Sequence, residues 1–366
     1  MKILFVFNHP APYKVRLFNE LIKDKDIELD VIFERKSASD RPKDFYNCNK
    51  YNFNVMFLKH GAFSREQSNT GELKKYIKEN YKKYKLIIMN GYSTITEIRA
   101  IRYMKKHHIP FVLYVNGGVI RKKEFFLLRK LKRYLVTSAF HYFSPCEEAS
   151  QYLEYYGANR KDISTYTYST LYLKDVLDKP LSEEEKSFFR TRFSMPSEGR
   201  IFVTFGQFIP RKNNIQLLTQ FIGRNDNLVL IGKGPEKQEY ERIISENHMQ
   251  NVKIFDFVKN DVLYDMIKGC DCFVTLSKED IYGHTTNEAM ANGLPVISSN
   301  CVVSSLHLIK NGENGFIVDL DDNSSIQKAL NSITPEMGEK AIESAKENTM
   351  EKSAEIHAKL FKEIVQ

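Results

Sequence analysis

Short apolar runs rich in β-branched and aromatic residues alternate with amphipathic stretches of helical period along this chain. In the first half, runs at 2–7, 28–33, 86–89, 111–115 and 140–143 read as buried strands, and 13–23, 72–81, 94–107 and 147–156 read as helices. A second series follows, with strand-like runs at 201–205, 228–231, 252–255, 272–276 and 295–298. Strands alternating with helices build parallel sheet from βαβ units, so the pattern predicts an α/β chain of two doubly wound domains. The boundary falls between about 171 and 200, where Pro180 and Pro196 punctuate the chain and Ser182 with Glu185 forms a capping box. The predicted division is 1–172 and 173–349, with a last helix over 350–366 built on Ala354, Ile356, Leu360, Phe361 and Ile364.

Composition narrows the picture only in places. The chain has 366 residues, 42% hydrophobic and 27% charged, which suits two ordinary soluble cores. A net charge of +8 points to acidic partners without naming them. The five cysteines (Cys48, Cys146, Cys270, Cys272 and Cys301) are scattered and form no metal-cage spacing, so the expected compartment is a reducing cytoplasm. Cys270 and Cys272 sit at the start of a strand, where a core role is expected. The opening run Ile3–Phe7 is too short for a signal peptide or a membrane span.

In open α/β sheets, ligands bind at the carboxyl ends of strands. Three such ends in the second half carry candidate chemistry. After the run at 201–205 come Gly206, Gln207 and the adjacent cations Arg211 and Lys212, which suit a diphosphate and also suit a solvated loop. The turn Gly232-Lys233-Gly234 reads equally as a phosphate loop or as a steric necessity. The third end holds Glu279 and Asp280, then Gly283 and a helix starting near His284, Thr285 and Thr286. Glu288, in its first turn, reads either as a hydrogen-bond acceptor for sugar hydroxyls or as a partner of the helix dipole.

These residues resemble glycosyltransferase family 4, the retaining, nucleotide-sugar-dependent enzymes. The family's Glu-x7-Glu motif running into Ala-Met-Ala-x-Gly-x-Pro-Val is matched by Asp280 and by Glu288-Ala289-Met290-Ala291-Asn292-Gly293-Leu294-Pro295-Val296. Asp280 departs from the usual glutamate, and Glu279 is the alternative. The family's Gly-Arg-Leu…Lys-Gly element is similar to Gly206-Gln207-Phe208…Lys212-Asn213; Gln207 replaces its arginine, leaving Arg211 as the second cation. Gly232-Lys233-Gly234-Pro235 and Asn311-Gly312-Glu313-Asn314-Gly315-Phe316 resemble two further family turns. The glutamate expected near 306–309 is absent, with His307 the one polar candidate there. Pro10-Ala11-Pro12-Tyr13 resembles the opening of bacterial surface-polysaccharide members, and Asn116-Gly117-Gly118, with Arg121 after it, lies where relatives face the acceptor.

The resemblance implies a GT-B architecture: two Rossmann-like domains facing a cleft, the first binding acceptor, the second binding donor, and the terminal helix crossing back to the first. It implies a glycosyltransferase moving sugar from a nucleotide-diphosphate sugar, a UDP-sugar, to a lipid-linked glycan in surface-polysaccharide or capsule synthesis. Lys212 and Arg211 would neutralise the diphosphate with amides near Thr285–Thr286, Glu288 would hold the ribose, and Asp280 would contact the transferred sugar. No cofactor or metal is expected, since positioned cations can carry the leaving charge. The segment 121–133 is basic (Lys122, Lys123, Arg129, Lys130, Lys132, Arg133), with Leu127, Leu128, Leu131, Tyr134 and Leu135 on one helical side. That side is either buried core or the face of a peripheral anchor on an anionic membrane, on its cytoplasmic side. The rival readings are a GT-B sugar-nucleotide epimerase, a phosphorylase and a non-catalytic nucleotide-sugar-binding partner. Nucleic acid is disfavoured, because the positive charge lacks the aromatic interleaving of a single-strand groove.

Overall fold

The computed structural model describes residues 1–37, 46, 50–59, 70–118, 120 and 124–365. Two compact units emerge: Met1–Thr170 with Thr349–Gln366, and Leu171–Asn348.

Unit 1 contains seven parallel strands, β1 (Lys2–Phe7), β2 (Glu28–Phe33), β3 (Asn54–Phe57), β4 (Leu86–Asn90), β5 (Val112–Tyr114), β6 (His141–Ser144) and β7 (Ile163–Thr165), in the order β3-β2-β1-β4-β5-β6-β7. Five match the runs read from the sequence. The unanticipated pair, β3 and β7, are the sheet edges, where half-exposed and polar residues blur the apolar signal. The helices are α1 (Pro12–Leu21), α2 (Thr70–Asn80), α3 (Ile95–Lys106), α4 (Phe126–Val136) and α5 (Glu147–Tyr155). A capping box from Thr94 to Glu97 opens α3.

Unit 2 contains β8 (Ile201–Gln207), β9 (Asn227–Lys233), β10 (Val252–Phe255), β11 (Cys272–Thr275), β12 (Val296–Ser299) and β13 (Gly315–Val318), in the order β10-β9-β8-β11-β12-β13. Its helices are α6 (Glu183–Arg192), α7 (Asn214–Thr219), α8 (Lys237–Glu246), α9 (Asn260–Ile267), α10 (Thr285–Ala291), α11 (Val303–Leu308), α12 (Asn323–Ser332) and α13 (Glu336–Lys346). Alternate residues of one strand feed opposite faces. Ile201, Val203 and Phe205 join one core, while Phe202 packs in the other with Leu228, Leu230 and Cys272. Burial drives the Cys270 and Cys272 thiols up, which suits inert core residues. The expected capping box is present at α6, where Ser182 Oγ accepts from Glu185 N.

The last helix, α14 (Met350–Val365), packs on α1 within unit 1. Its His357 is fully buried and stacks near Tyr114 and Tyr166. His357 Nδ1 donates to the Ser353 carbonyl at 2.6 Å, so in the neutral ring Nε2 accepts from the Tyr114 hydroxyl at 3.1 Å. That hydroxyl oxygen already takes the Lys14 ammonium nitrogen at 3.0 Å, and Lys14 is buried without a carboxylate among these neighbours. A second proton on His357 would place a charge in this buried cluster beside Lys14. Burial, with Lys14 adding repulsion, lowers the His357 pKa to about 3, while the bond to Ser353 opposes this. Its unfolded value is about 6.5, so the unfolded chain binds more protons and stability falls as pH drops below that value. Burial lowers Lys14 too, with the same sign. Urea unfolding of unit 1 should show a loss approaching 1.4 kcal/mol per pH unit from His357 between about pH 6 and pH 4. His357→Gln should flatten that slope, and an unchanged slope would refute the assignment.

Candidate active site

Each sheet reverses its strand order at one point, beside β1 in unit 1 and beside β8 in unit 2. Ligands of open α/β sheets gather where the loops of two such strands diverge. In unit 2 these are the loops after β8 and β11, which carry the two richest candidate stretches.

β8 ends on Gly206, whose φ of +136° suits glycine, and on the exposed Gln207, and the loop follows. A short 3-10 turn, Pro210–Lys212, starts on its proline and ends at Asn213 in the left-handed region (φ +56°). The turn aims both cations at the neighbouring loop. Lys212 Nζ donates to Asp280 Oδ2 at 2.7 Å, and Arg211 Nη1 lies 3.6 Å from the same oxygen. The Lys212 and Asp280 side chains are only 14% and 16% exposed. Main-chain bonds fix the approach: Lys278 N donates to Arg211 O (2.8 Å), and Arg211 Nη1 donates to the Glu279 carbonyl (3.2 Å). Of the two acids left open by the sequence, Asp280 brings its carboxylate to the cations. Glu279 contributes its carbonyl, and the residue is exposed.

Asp280 is anchored from behind, since its amide donates to Cys301 O and its carbonyl accepts from Val303 N. Gly283 (φ +84°) accepts from Ser304 Oγ at 2.7 Å, and a Cβ there would meet Val302 Cγ1 at 2.7 Å. His284 precedes α10, its ring 5.0 Å from that of Tyr282. Thr285 opens the helix, and Thr286 exchanges a hydrogen bond with Ser305 (2.8 Å). The amide of Thr286 donates to Gly283 O at 3.2 Å, so one of the two amides expected to meet a phosphate is already engaged. Glu288 is half-buried in the first turn of α10.

The third loop lies beside the first, because Gly206 and Gly232 are partners in the β8–β9 register. A Cβ on Gly232 would sit 1.9 Å from Gly206 O, and one on Gly234 2.3 Å from Phe208 O. The steric reading of this turn accounts for both glycines. Lys233 is exposed, its ammonium 4.9 Å from the Phe257 ring centroid.

In unit 1, Pro12 and Tyr13 begin α1, with Tyr13 edge-on to Tyr168 at 5.9 Å. Asn116 Nδ2 donates to Asn90 Oδ1 (2.9 Å), and with Gly117 both line a cavity of 490 Å³ shared with Tyr92, Tyr152, Leu128 and Leu131. Gly118 packs so tightly that a Cβ would strike the Tyr152 ring at 2.4 Å. The sequence reading missed Asn90, Tyr92 and Tyr152. The Asn90-Gly91 pair at the end of β4, with Gly91 at φ +82°, was the available signal. Beside this cavity Glu34 and Glu97 are buried together, and burial with mutual repulsion raises the Glu97 carboxyl.

Arg121, Lys122 and Lys123 lie outside the described residues. In α4 the buried-core reading needs correction: Phe126, Leu127, Leu128, Leu131 and Tyr134 are exposed, and only Leu135 and Val136 are buried. Arg129, Lys130 and Arg133 are exposed as expected. Lys132 is not a solvated cation, because Glu124 pairs with it at 2.5 Å and it donates to the Tyr156 hydroxyl at 3.2 Å.

Comparison with known proteins bears on the fold and on the enzyme class. Residues 185–349 match the family model described as Glycosyl transferases group 1. An uncharacterized glycosyltransferase of Methanocaldococcus jannaschii is 26% identical over 144 residues, covering 39% of this chain and 34% of that protein. The lipopolysaccharide core biosynthesis glycosyltransferase LpsE of Rhizobium meliloti is 24% identical over 146 residues, 39% of this chain and 42% of its own. The matched stretches thus span less than half the length of those relatives. The structure of Anabaena HepE in complex with UDP superposes with a TM-score of 0.75 at 15% identity, covering 100% of this chain and 99% of that one. The chain has a GT-B fold whose second unit matches the group 1 glycosyl transferases, and its relatives are named glycosyltransferases, which supports a transferase enzyme.

Proposed function

We propose that this chain is a retaining glycosyltransferase of the family 4 type, moving sugar from a UDP-sugar to a lipid-linked glycan in surface-polysaccharide synthesis. The observation that carries the reading is the convergence of Lys212 and Arg211 on Asp280 at the strand-order reversal of unit 2. Breaking the bond between a sugar and a diphosphate leaves negative charge on the departing phosphate. Fixed cations lower that barrier because they are already oriented when the charge appears. Lys212 and Arg211 fill that role without a metal. Asp280 holds both cations and borders the position of the transferred sugar, and Glu288 holds the ribose. The leaving phosphate accepts the acceptor's proton on the same face, which needs no protein base. In this reading 173–349 binds donor, and 1–172 with 350–366 binds acceptor through the cavity at Asn90 and Asn116.

The polysaccharide and UDP elements draw support from the printed names of LpsE and of the HepE complex with UDP. The exposed apolar row of α4 supports peripheral attachment to the cytoplasmic face of a membrane. Among the described residues no helix is long and apolar enough to span one.

Thermal unfolding with nucleotide diphosphates tests the donor site. UDP at about 100 times its Kd should stabilise unit 2 by about 2.7 kcal/mol. A shift with GDP or ADP alone would overturn the uridine element, and no shift with any nucleotide would overturn the donor site. Donor isomerised without acceptor would indicate the epimerase instead.

A further inference from the structure

A groove of 660 Å³ on unit 1 is lined by Lys74 of α2, by Arg99, Arg102, Lys106 and His107 on and just after α3, and by Tyr134 of α4. No carboxylate is among the described lining residues. Several cations elsewhere are set beside acids, as in Lys132–Glu124, Arg160–Glu147 and Arg242 with Glu239 and Glu246. Among the described residues Lys74, Arg102 and Lys106 enter no such pair. Positions 99, 102 and 106 follow the three- and four-residue spacing that puts side chains on one helical face. Like charges four residues apart, as at Arg102 and Lys106, destabilise a helix. The ring of Tyr103 supports the row, 5.4 Å from Lys74 Nζ and 4.3 Å from the His107 ring.

We propose that this groove binds the phosphate groups of anionic phospholipid headgroups at a bilayer surface. Tyr134 belongs both to the groove and to α4, whose Phe126, Leu127, Leu128 and Leu131 are exposed together with Phe125 just before it. Phe125 alone is 69% exposed. Arg129, Lys130 and Arg133 stand among these residues. Apolar side chains beside a band of cations repeat the order of a bilayer interface, acyl boundary next to phosphate layer. A soluble polyanion would answer the charges and leave the apolar row without a partner. The inference rests on the membrane reading of α4 and adds a defined headgroup site on α2 and α3. It is independent of the transferase chemistry.

The test is co-sedimentation of the full chain with vesicles of phosphatidylcholine alone or mixed equally with phosphatidylglycerol. One variant is Lys74→Gln/Arg102→Gln/Lys106→Gln, a second is Phe125→Ser/Phe126→Ser, and a control carries Lys161→Gln/Lys259→Gln/Lys328→Gln at exposed positions elsewhere. Each cation near the surface is worth about fivefold, so the groove variant should bind mixed vesicles about 100-fold more weakly. The control should lose far less, and all variants should keep the parent melting temperature. A groove variant that sediments like the parent, while the α4 variant does not, would overturn the headgroup site and leave α4 as an anchor. Equal losses in groove variant and control would reduce the effect to net charge and overturn it too. A parent indifferent to phosphatidylglycerol would sink both. Loss of inorganic phosphate or single-stranded RNA binding in the groove variant, with vesicle binding intact, would reassign the groove to a soluble anion.

Discussion

Lys212→Ala should lower kcat by about 100-fold or more, the usual cost of removing one preorganised charge-stabilising group. Such a loss corresponds to about 2.7 kcal/mol of transition-state stabilisation. The ammonium lies 2.7 Å from Asp280, so the substitution has a second consequence. It leaves a largely buried carboxylate whose one remaining cation among the described residues is Arg211, at 3.6 Å. Part of any loss could then reflect an uncompensated Asp280 and not a missing phosphate partner. The double variant with Asp280→Asn separates the two, since residues in contact do not add. If Lys212 acts on the departing diphosphate, restoring local neutrality should recover little of the rate. Recovery to within about tenfold of the parent would make Lys212 a structural partner of Asp280 and remove it from the chemistry.

Gly232→Ala should be among the most damaging single-atom changes in unit 2. The added Cβ would sit 1.9 Å from Gly206 O, and that oxygen belongs to main chain. No rotamer relieves the clash, so β8 and β9 must part where their loops begin. Overpacking of this kind costs about 1–3 kcal/mol, and a unit of this size loses about 2–4 °C in melting temperature per kcal/mol. The strain falls between the Lys212 loop and the Lys233 turn, so UDP affinity should fall with stability. Gly206→Ala makes the comparison: no heavy atom lies within 4 Å of its Cβ position, and φ +136° is the obstacle. Unaltered melting and UDP binding in Gly232→Ala would show that the two strands can separate freely.

Both sheets could be read from the sequence because their central strands are buried on two faces and therefore appear as unbroken apolar runs. The edges β3, β7 and β13 are not among the runs, although the half-exposed edge β10 is. The motif around Glu288 was legible because helix, glycine stop and proline follow one another in the chain. The Lys212–Asp280 pair spans 68 residues, and its distance follows from β8 and β11 being neighbours, which the sequence does not state. The α4 stripe was ambiguous for another reason. Apolar spacing marks which side of a helix is apolar, and whether another element covers that side is a matter of tertiary packing. The cations of α2 and α3 passed unnoticed because no single stretch contains them.

The placement of α14 makes unit 1 discontinuous, since unit 2 is threaded between its first 170 residues and its final helix. During synthesis the first sheet must therefore wait, with the faces of Phe143 and Tyr114 that later meet Phe361 and His357 uncovered, until the last segment has been made. Unit 2 has no such dependence and can complete on its own. Clipping α14 from the finished protein should then unravel the unit that begins at the opposite end of the chain and spare the one next to the cut.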